Sequence, residues 1–420
     1  MTIAGYVAAL AVLGRLSFAT ESVRLHDLIA TALANNPEVQ AAQKRYEAAR
    51  QRPSGESSLP DPTLSLGYAS NGGPLPGQGL GTDPTSNIGV MVSQEFPYPG
   101  KRKLRGDIAA KEADAEFQQY QTVQLSVRSR VVQAFHRLHH AYAALEILAQ
   151  GKNLFVQVIR VSEARYAAGK AAQQDIFKAQ TQLSILETRI IRMEQDRRTA
   201  EAEINSLLNR TPGAPVGIPE TLDPAPLRLS LSEVIEKAET LAPALKREQK
   251  MIERNELAVN LARKDFYPDY TVSGGYFNQG RMPPMYQFRI DIPLRLYAER
   301  KQRPALNAQV SRLTEARRNF TAAGQSLQFK VQEAYLAAQT SFRLLNLYAD
   351  TILPQSALTV ESSLSSYETG ATDFLSVLTN LTTKVEAEER YHEEQLSYAI
   401  ALARLEEITG ALLGEAVDNK

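Results

Sequence analysis

The residues with the clearest capacity for chemistry are three histidines, His136, His139 and His140. Spaced i, i+3 and i+4, they fall near one face of a helix, a spacing compatible with a bound metal ion. No carboxylate or further histidine stands at ligand spacing beside them, and His136 directly follows a residue of an apolar seam. A solvated helix face is therefore the expectation, and no metal is assigned. Next come two acids, Asp175 and Asp373, each a few residues beyond a Tyr-x-x-Gly sequence. Carboxylates so placed suit the start of a helix, where the backbone N–H groups and the dipole favour negative charge. No hydrolase elbow, phosphate-binding loop or zinc-protease motif occurs. Cysteine is absent, which removes disulfides, thiolate metal sites and thiol nucleophiles. No catalytic residue and no cofactor is assigned, and the protein is not expected to be an enzyme. Lys plus Arg equals Asp plus Glu, at 47 each, so no global basic field gathers nucleic acid or anionic lipid, and only local patches remain.

Positioning these residues falls to a chain written twice. Val131, Phe135, Leu138, Tyr142 and Leu145 recur as Val331, Tyr335, Ala338, Phe342 and Leu345, both in the 4, 3, 4, 3 spacing of a coiled-coil seam. Tyr166-Ala-Ala-Gly169 parallels Tyr367-Glu-Thr-Gly370. Pro60-Asp61-Pro62, with a strand ending at Tyr68, parallels Pro268-Asp269 with a strand ending at Tyr276. So many ordered landmarks mark an internal duplication. Each half is expected to open with a helix, about 24–52 and about 230–266. A hairpin follows, in which Leu64, Leu66 and Tyr68, or Tyr286, Phe288, Ile290 and Ile292, alternate with polar neighbours in the period of a half-buried strand. A long helix, about 104–168 and about 304–367, ends at Gly169 or Gly370, and a return helix occupies about 172–210 or 372–410. The first repeat thus covers 20–213, a linker 214–229, the second repeat 230–410 and a tail 411–420.

Element lengths constrain the packing. A helix of about 65 residues is near 100 Å long at 1.5 Å per residue, and the two shorter helices of each half, stacked, match it. Rods with such a seam must bury it against one another and against neighbouring chains. Two hairpins give four strands, a sheet with two open edges, whereas the smallest closed membrane barrels need about 8 strands. A barrel would therefore be shared between copies. The apolar run Ile3–Leu13 followed by Ser17-Phe18-Ala19 suggests a signal peptide over 1–19. No later stretch is apolar enough for a transmembrane helix, which leaves a closed β-barrel as the one way to cross a bilayer.

The order of helix, hairpin, long helix, Tyr-x-x-Gly turn and return helix, given twice from about Arg24 to Gly410, resembles the TolC-type outer-membrane efflux family. The resemblance implies a mainly α fold with a small β part: long antiparallel helical hairpins forming an α-barrel tunnel, and four strands per chain in a trimeric, twelve-stranded transmembrane β-barrel. It implies a channel subunit of a tripartite efflux system in the outer membrane of a Gram-negative bacterium, extending into the periplasm and conducting passively. Its partners would be its own copies in a homotrimer, a periplasmic adaptor (membrane fusion protein), an inner-membrane pump and outer-membrane lipid. Gln94-Glu95-Phe96-Pro97-Tyr98-Pro99-Gly100-Lys101-Arg102 is similar to the strand-to-helix junction of members serving heavy-metal exporters.

By the same resemblance the glycine turns are tips where an adaptor docks, which nominates Tyr166, Gly169, Lys170, Tyr367 and Gly370. Many relatives carry Leu-Asp-Ala-Gln early in the second return helix. Here Leu378-Thr379-Asn380-Leu381 lacks that acid, so Asp373, with Asp175 in the first half, is nominated for an acidic ring at the entrance. For Asp373 a helix cap is the competing reading, and the two are compatible. Tyr68, Phe96, Tyr276 and Phe277 are candidates for an aromatic girdle. The alternative for the whole chain is a periplasmic coiled-coil adaptor or scaffold, against which two complete repeats with two hairpins argue.

Overall fold

The computed structural model describes residues 22–413 apart from Gly72 and Asp223. The expected leader, 1–19, and most of the tail, 411–420, lie outside the described residues. In chain order the elements are β1 (Ser22–Val23), α1 (Leu25–Asn35), α2 (Pro37–Ser57), β2 (Thr63–Ala69), β3 (Asn87–Phe96), α3 (Lys101–Ala167) and α4 (Gln173–Leu207). The second half continues with β4 (Ile218–Pro219), α5 (Leu231–Leu241), α6 (Pro243–Lys264), β5 (Tyr270–Asn278), β6 (Met285–Asp291), α7 (Ala298–Leu347), α8 (Leu353–Thr369) and α9 (Phe374–Thr409). None of the described helices is long and apolar enough to cross a membrane.

Three expected helices prove to be interrupted, each at a proline. Pro37 and Pro243 are the first residues of α2 and α6. A proline lacks the N–H and has the fixed φ of a helix start, so each opening helix is two helices where one was expected. Asn36 caps α2 by accepting a 2.9 Å hydrogen bond from the Glu38 N–H. The breaks fall at corresponding places in the two halves, so they repeat the duplication. The third interruption is the π-helical turn Tyr348–Ile352, between α7 and α8. Pro354 follows it and cannot donate to the carbonyl four residues back, and the widened turn accommodates that loss. The expected helix at 304–367 is therefore a pair, and its first member begins earlier, at Ala298.

The chain forms two compact units, each drawing on both repeats. One comprises the described residues up to Leu33, Arg130–Pro226 and Ala337–Ala403. Its core is a cluster in which Leu148, Phe155 and Val158 of α3 meet Ala179 and Leu186 of α4, Val360 and Tyr367 of α8, and Val377, Leu381 and Val385 of α9. Here the segment expected as a linker is held in place. Ile218–Pro219 pairs in parallel with Ser22–Val23, and the Tyr398 hydroxyl donates to the Ala225 carbonyl at 2.6 Å.

The other unit comprises Ala34–Ser129, Leu227–Leu336 and the described residues from Arg404 onward. It carries the four-stranded antiparallel sheet, in the order β2-β3-β5-β6. The two hairpins join through β3 and β5, which leaves β2 and β6 as edges. Register sorts the side chains into two faces. One holds cross-strand rows Leu66–Val90–Tyr276–Tyr286 and Leu64–Val92–Gly274–Phe288. The other holds Thr63–Ser93–Ser273–Arg289 and Ser65–Met91–Gly275–Gln287. The apolar face is open: Leu66 is 75%, Tyr286 76% and Phe288 72% exposed. Phe277, expected in an aromatic girdle, instead lies on the polar face, since it follows Tyr276 and a strand alternates sides. It covers Gly89 and Gly275, where an added Cβ would stand 2.2 and 2.7 Å from its ring.

Sheet and helices join at a buried cation. Lys101, at the first position of α3, is fully buried; its Nζ lies 2.9 Å from Asp269 Oδ1 and 3.3 Å from Asp265 Oδ1, and donates to the Tyr267 carbonyl at 3.0 Å. The Tyr98 N–H also donates to Asp269, at 2.6 Å. Burial works to raise the Asp269 pKa, but these two donors and the charges of Lys101 and Arg295 outweigh it and hold the carboxyl below its usual range. Removing one partner strands the other, so Lys101→Met is expected to cost about 3 kcal/mol. The thermal midpoint would report it, and an unchanged midpoint would show that the junction is held by something else.

Candidate functional site

The two glycine turns fall at the ends of α3 and α8 and are built alike. At the first, Gly169 has φ 71°, Lys170 N–H donates to the Arg165 carbonyl at 2.8 Å and Gly169 N–H to the Tyr166 carbonyl at 2.9 Å. At the second, Gly370 has φ 85°, Ala371 N–H donates to the Ser366 carbonyl at 2.8 Å and Gly370 N–H to the Tyr367 carbonyl at 3.1 Å. This nested pair satisfies the last carbonyls of a helix and requires a left-handed residue, which glycine adopts without strain.

The side chains at the two turns differ. Tyr166 and Lys170 are exposed, whereas Tyr367 is 3% exposed and belongs to the core. Its ring meets Phe374 edge-on at 5.9 Å. The Arg165 guanidinium lies 4.5 Å from the ring centroid, and Arg165 also donates to the carbonyls of Tyr367 and, at 3.3 Å, Glu368. One side chain thereby ties the end of α3 to the end of α8, and so one repeat to the other. Tyr367, nominated with Tyr166 as a docking residue, is a packing residue; burial leaves its ring no free face.

Asp373 immediately precedes α9, accepting from the Ser376 N–H at 2.9 Å and the Ser376 hydroxyl at 2.7 Å. It is exposed, and the hydroxyl first, then the N–H, lower its pKa below the ordinary carboxylate value, so it is ionised at neutral pH. α4 starts differently. Ala172 supplies no side-chain cap, and Asp175 is the third residue of the helix and half-buried. The two nominated acids are therefore not equivalent.

The three histidines are not on a solvated face. All are half-buried, and His392 of α9, whose Nδ1–H donates to Gln395 Oε1 at 2.8 Å, lies close enough to act on His139 and His140. Burial, then the charge of His139, pushes His136 down to about 4. Burial and then His392 lower His139. For His140 and His392 burial again leads, and the carboxylates of Glu393 and Asp196, or of Glu388 and Glu146, oppose it without reversing it. Sequence spacing could not reveal His392, which is distant in the chain. Among the described residues no group of three or more His, Asp or Glu side chains is arranged to hold a metal.

Neutral at pH 7, this cluster has a consequence for stability. A histidine whose folded pKa is lowered contributes stability above its unfolded value near 6.5, lost as pH falls toward the folded value of about 4. For His136 the loss is on the order of 3 kcal/mol or less. Thermal midpoints measured between these pH values should fall in the native chain and fall less in His136→Gln; parallel curves would exclude His136 as a source.

A cavity of about 350 Å³ in the sheet-bearing unit is lined by Arg52, Glu112 and Arg254 among others. Glu112 sits 3.1 Å from Arg52 and 3.0 Å from Arg254, so these charges hold each other. The arrangement offers neither a nucleophile with a base nor a preformed anion site.

Among curated protein sequences none matches this chain. The family model described as outer membrane efflux protein matches residues 28–210 and 234–411. Solved structures share the fold. The outer membrane protein VceC of Vibrio cholerae is 16% identical with a TM-score of 0.76, over 92% of this chain and 96% of that one. The open state of the Neisseria gonorrhoeae MtrE outer membrane channel is 20% identical with a TM-score of 0.72, over 93% and 89%. CusC, described for conformational changes accompanying folding and transmembrane channel formation, is 16% identical with a TM-score of 0.77, over 92% and 91%.

Proposed function

The chain belongs to the outer membrane efflux protein family, outer-membrane channels that work as trimers in tripartite efflux systems, and we propose that three copies complete one conducting pore. The observation that carries this is the sheet: four strands, an exposed apolar face, a polar face and two open edges. The apolar face suits lipid and the polar face a water-filled lumen, and three such sheets supply the strands that one lacks. The role is conduction without a reaction, driven by an inner-membrane pump reached through a periplasmic adaptor. Repeats over 20–213 and 230–410, joined by 214–229, are the units whose hairpins point their glycine turns at that adaptor.

Tyr166, Gly169, Lys170 and Gly370 are the surface offered for docking, with Tyr367 beneath them. The acids at the return helices, Asp373 foremost, ring the entrance. Supporting this is an ionised, exposed carboxylate beside a turn; capping by the same group does not compete, because a bound Ser376 leaves its charge in place. The Gln94–Arg102 junction supports service to a heavy-metal exporter.

Two expected outcomes test the entrance. Asp373→Asn, which keeps an acceptor for the Ser376 N–H, should weaken block by multivalent cations in planar-bilayer recordings. Unchanged block and conductance would remove Asp373 from the entrance. Arg165→Ala breaks the tie between α3 and α8, worth about 1 kcal/mol, and should raise the open fraction about fivefold. If closure is equally tight without Arg165, the tie is structural only.

A further inference from the structure

Resting on the reading of the sheet as part of a membrane barrel, we propose that its helix-side foot is a collar that binds the phosphate headgroups of anionic phospholipids. Two features at the foot share one arrangement, apolar or aromatic side chains followed by cations.

At the centre of the sheet, Phe96 stacks on Tyr270 at 5.4 Å, and Tyr98 on Tyr267 at 4.6 Å. Both members of the first stack have the parity of the apolar rows, so the ladder starts on the lipid face and runs toward the helices. Lys264 closes it, with Nζ 5.6 Å from the Tyr98 centroid and donating to the Pro99 carbonyl at 3.1 Å. At the β6 edge the even-numbered row continues past the strand, with Leu294 77% and Leu296 78% exposed. Tyr297, 72% exposed, then receives the first backbone bonds of the next helix, from the N–H groups of Arg300 and Lys301. The three residues lie three and four positions apart and so share a face.

The charge here is free to act outward. Arg300 and Lys301 are exposed and make no ion pair among the described residues. Of the nearby acids, Asp265 and Asp269 are engaged by Lys101, Glu299 by Arg303 and Asp291 by Arg289, and Glu95 has the parity of the opposite, polar face. Apolar side chains at the depth of the acyl chains and unpaired cations one turn beyond form the pattern that holds a negative headgroup at a membrane interface. The global charge balance, 47 basic against 47 acidic residues, conceals it.

The test reconstitutes the full chain into nanodiscs of phosphatidylethanolamine with one quarter phosphatidylglycerol and measures retained lipid by native mass spectrometry. The native chain should retain phosphatidylglycerol above its share. Arg300→Gln/Lys301→Gln should reduce that enrichment by about fivefold for each cation removed. High salt should reduce it in the native chain as well. Both variant sites are exposed and unpaired, and a heat-modifiable trimer band confirms that the variant is folded. Equal enrichment in native and variant protein, or none in the native chain, overturns the proposal while leaving the barrel intact. Failure of the native chain to insert in any lipid would instead refute the barrel reading on which it rests.

Discussion

The edge of a β-sheet presents a row of backbone N–H and C=O groups, and inside a bilayer only another strand can satisfy them. That requirement governs this molecule. The sheet ends in β2 on one side and β6 on the other, with an exposed apolar face between them. A single copy in water would leave that face wet, and in lipid would leave both edges bare. Assembly is thus a condition for the sheet to exist in its membrane, and the helical hairpins, with their long apolar seams, carry the same demand away from it.

Joining β3 to β5 makes the two repeats one surface, and the buried Lys101 fixes that surface to its helices. At the glycine turns, Arg165 does for the helix ends what Lys101 does for the strands. Both are cations of the first repeat held by groups of the second. Duplication therefore provides two similar frames, while the ties made by Lys101 and Arg165 between them are asymmetric. The same asymmetry appears in Tyr166 and Tyr367, equivalent in sequence and opposite in exposure.

Periodic features were legible in the sequence. The seam through Val131, Phe135 and Leu138 is buried, the strand alternation predicted the two faces, and both glycine turns end helices as expected. Proline breaks were under-read: Pro37, Pro243 and Pro354 each stood in view, but a window that scores apolar spacing passes over a single missing N–H. What could not be read were contacts between residues remote in the chain. Nothing in the spacing of His136, His139 and His140 announces His392, and the expectation of a solvated face failed because helices remote in the chain pack over it. Likewise Arg165 has no counterpart in the second repeat, where Ser366 occupies the matching place, so repetition could not flag it.

The most direct measurement exploits the absence of cysteine. Pairs of cysteines introduced on outward backbone positions of β2 and β6, in a panel of registers, would be oxidised in native outer membranes and resolved on denaturing gels. Closure between copies gives a covalent ladder ending at three times the mass of a single chain. A chain that stays monomeric in every register, and purifies without detergent, would contradict a shared pore wall.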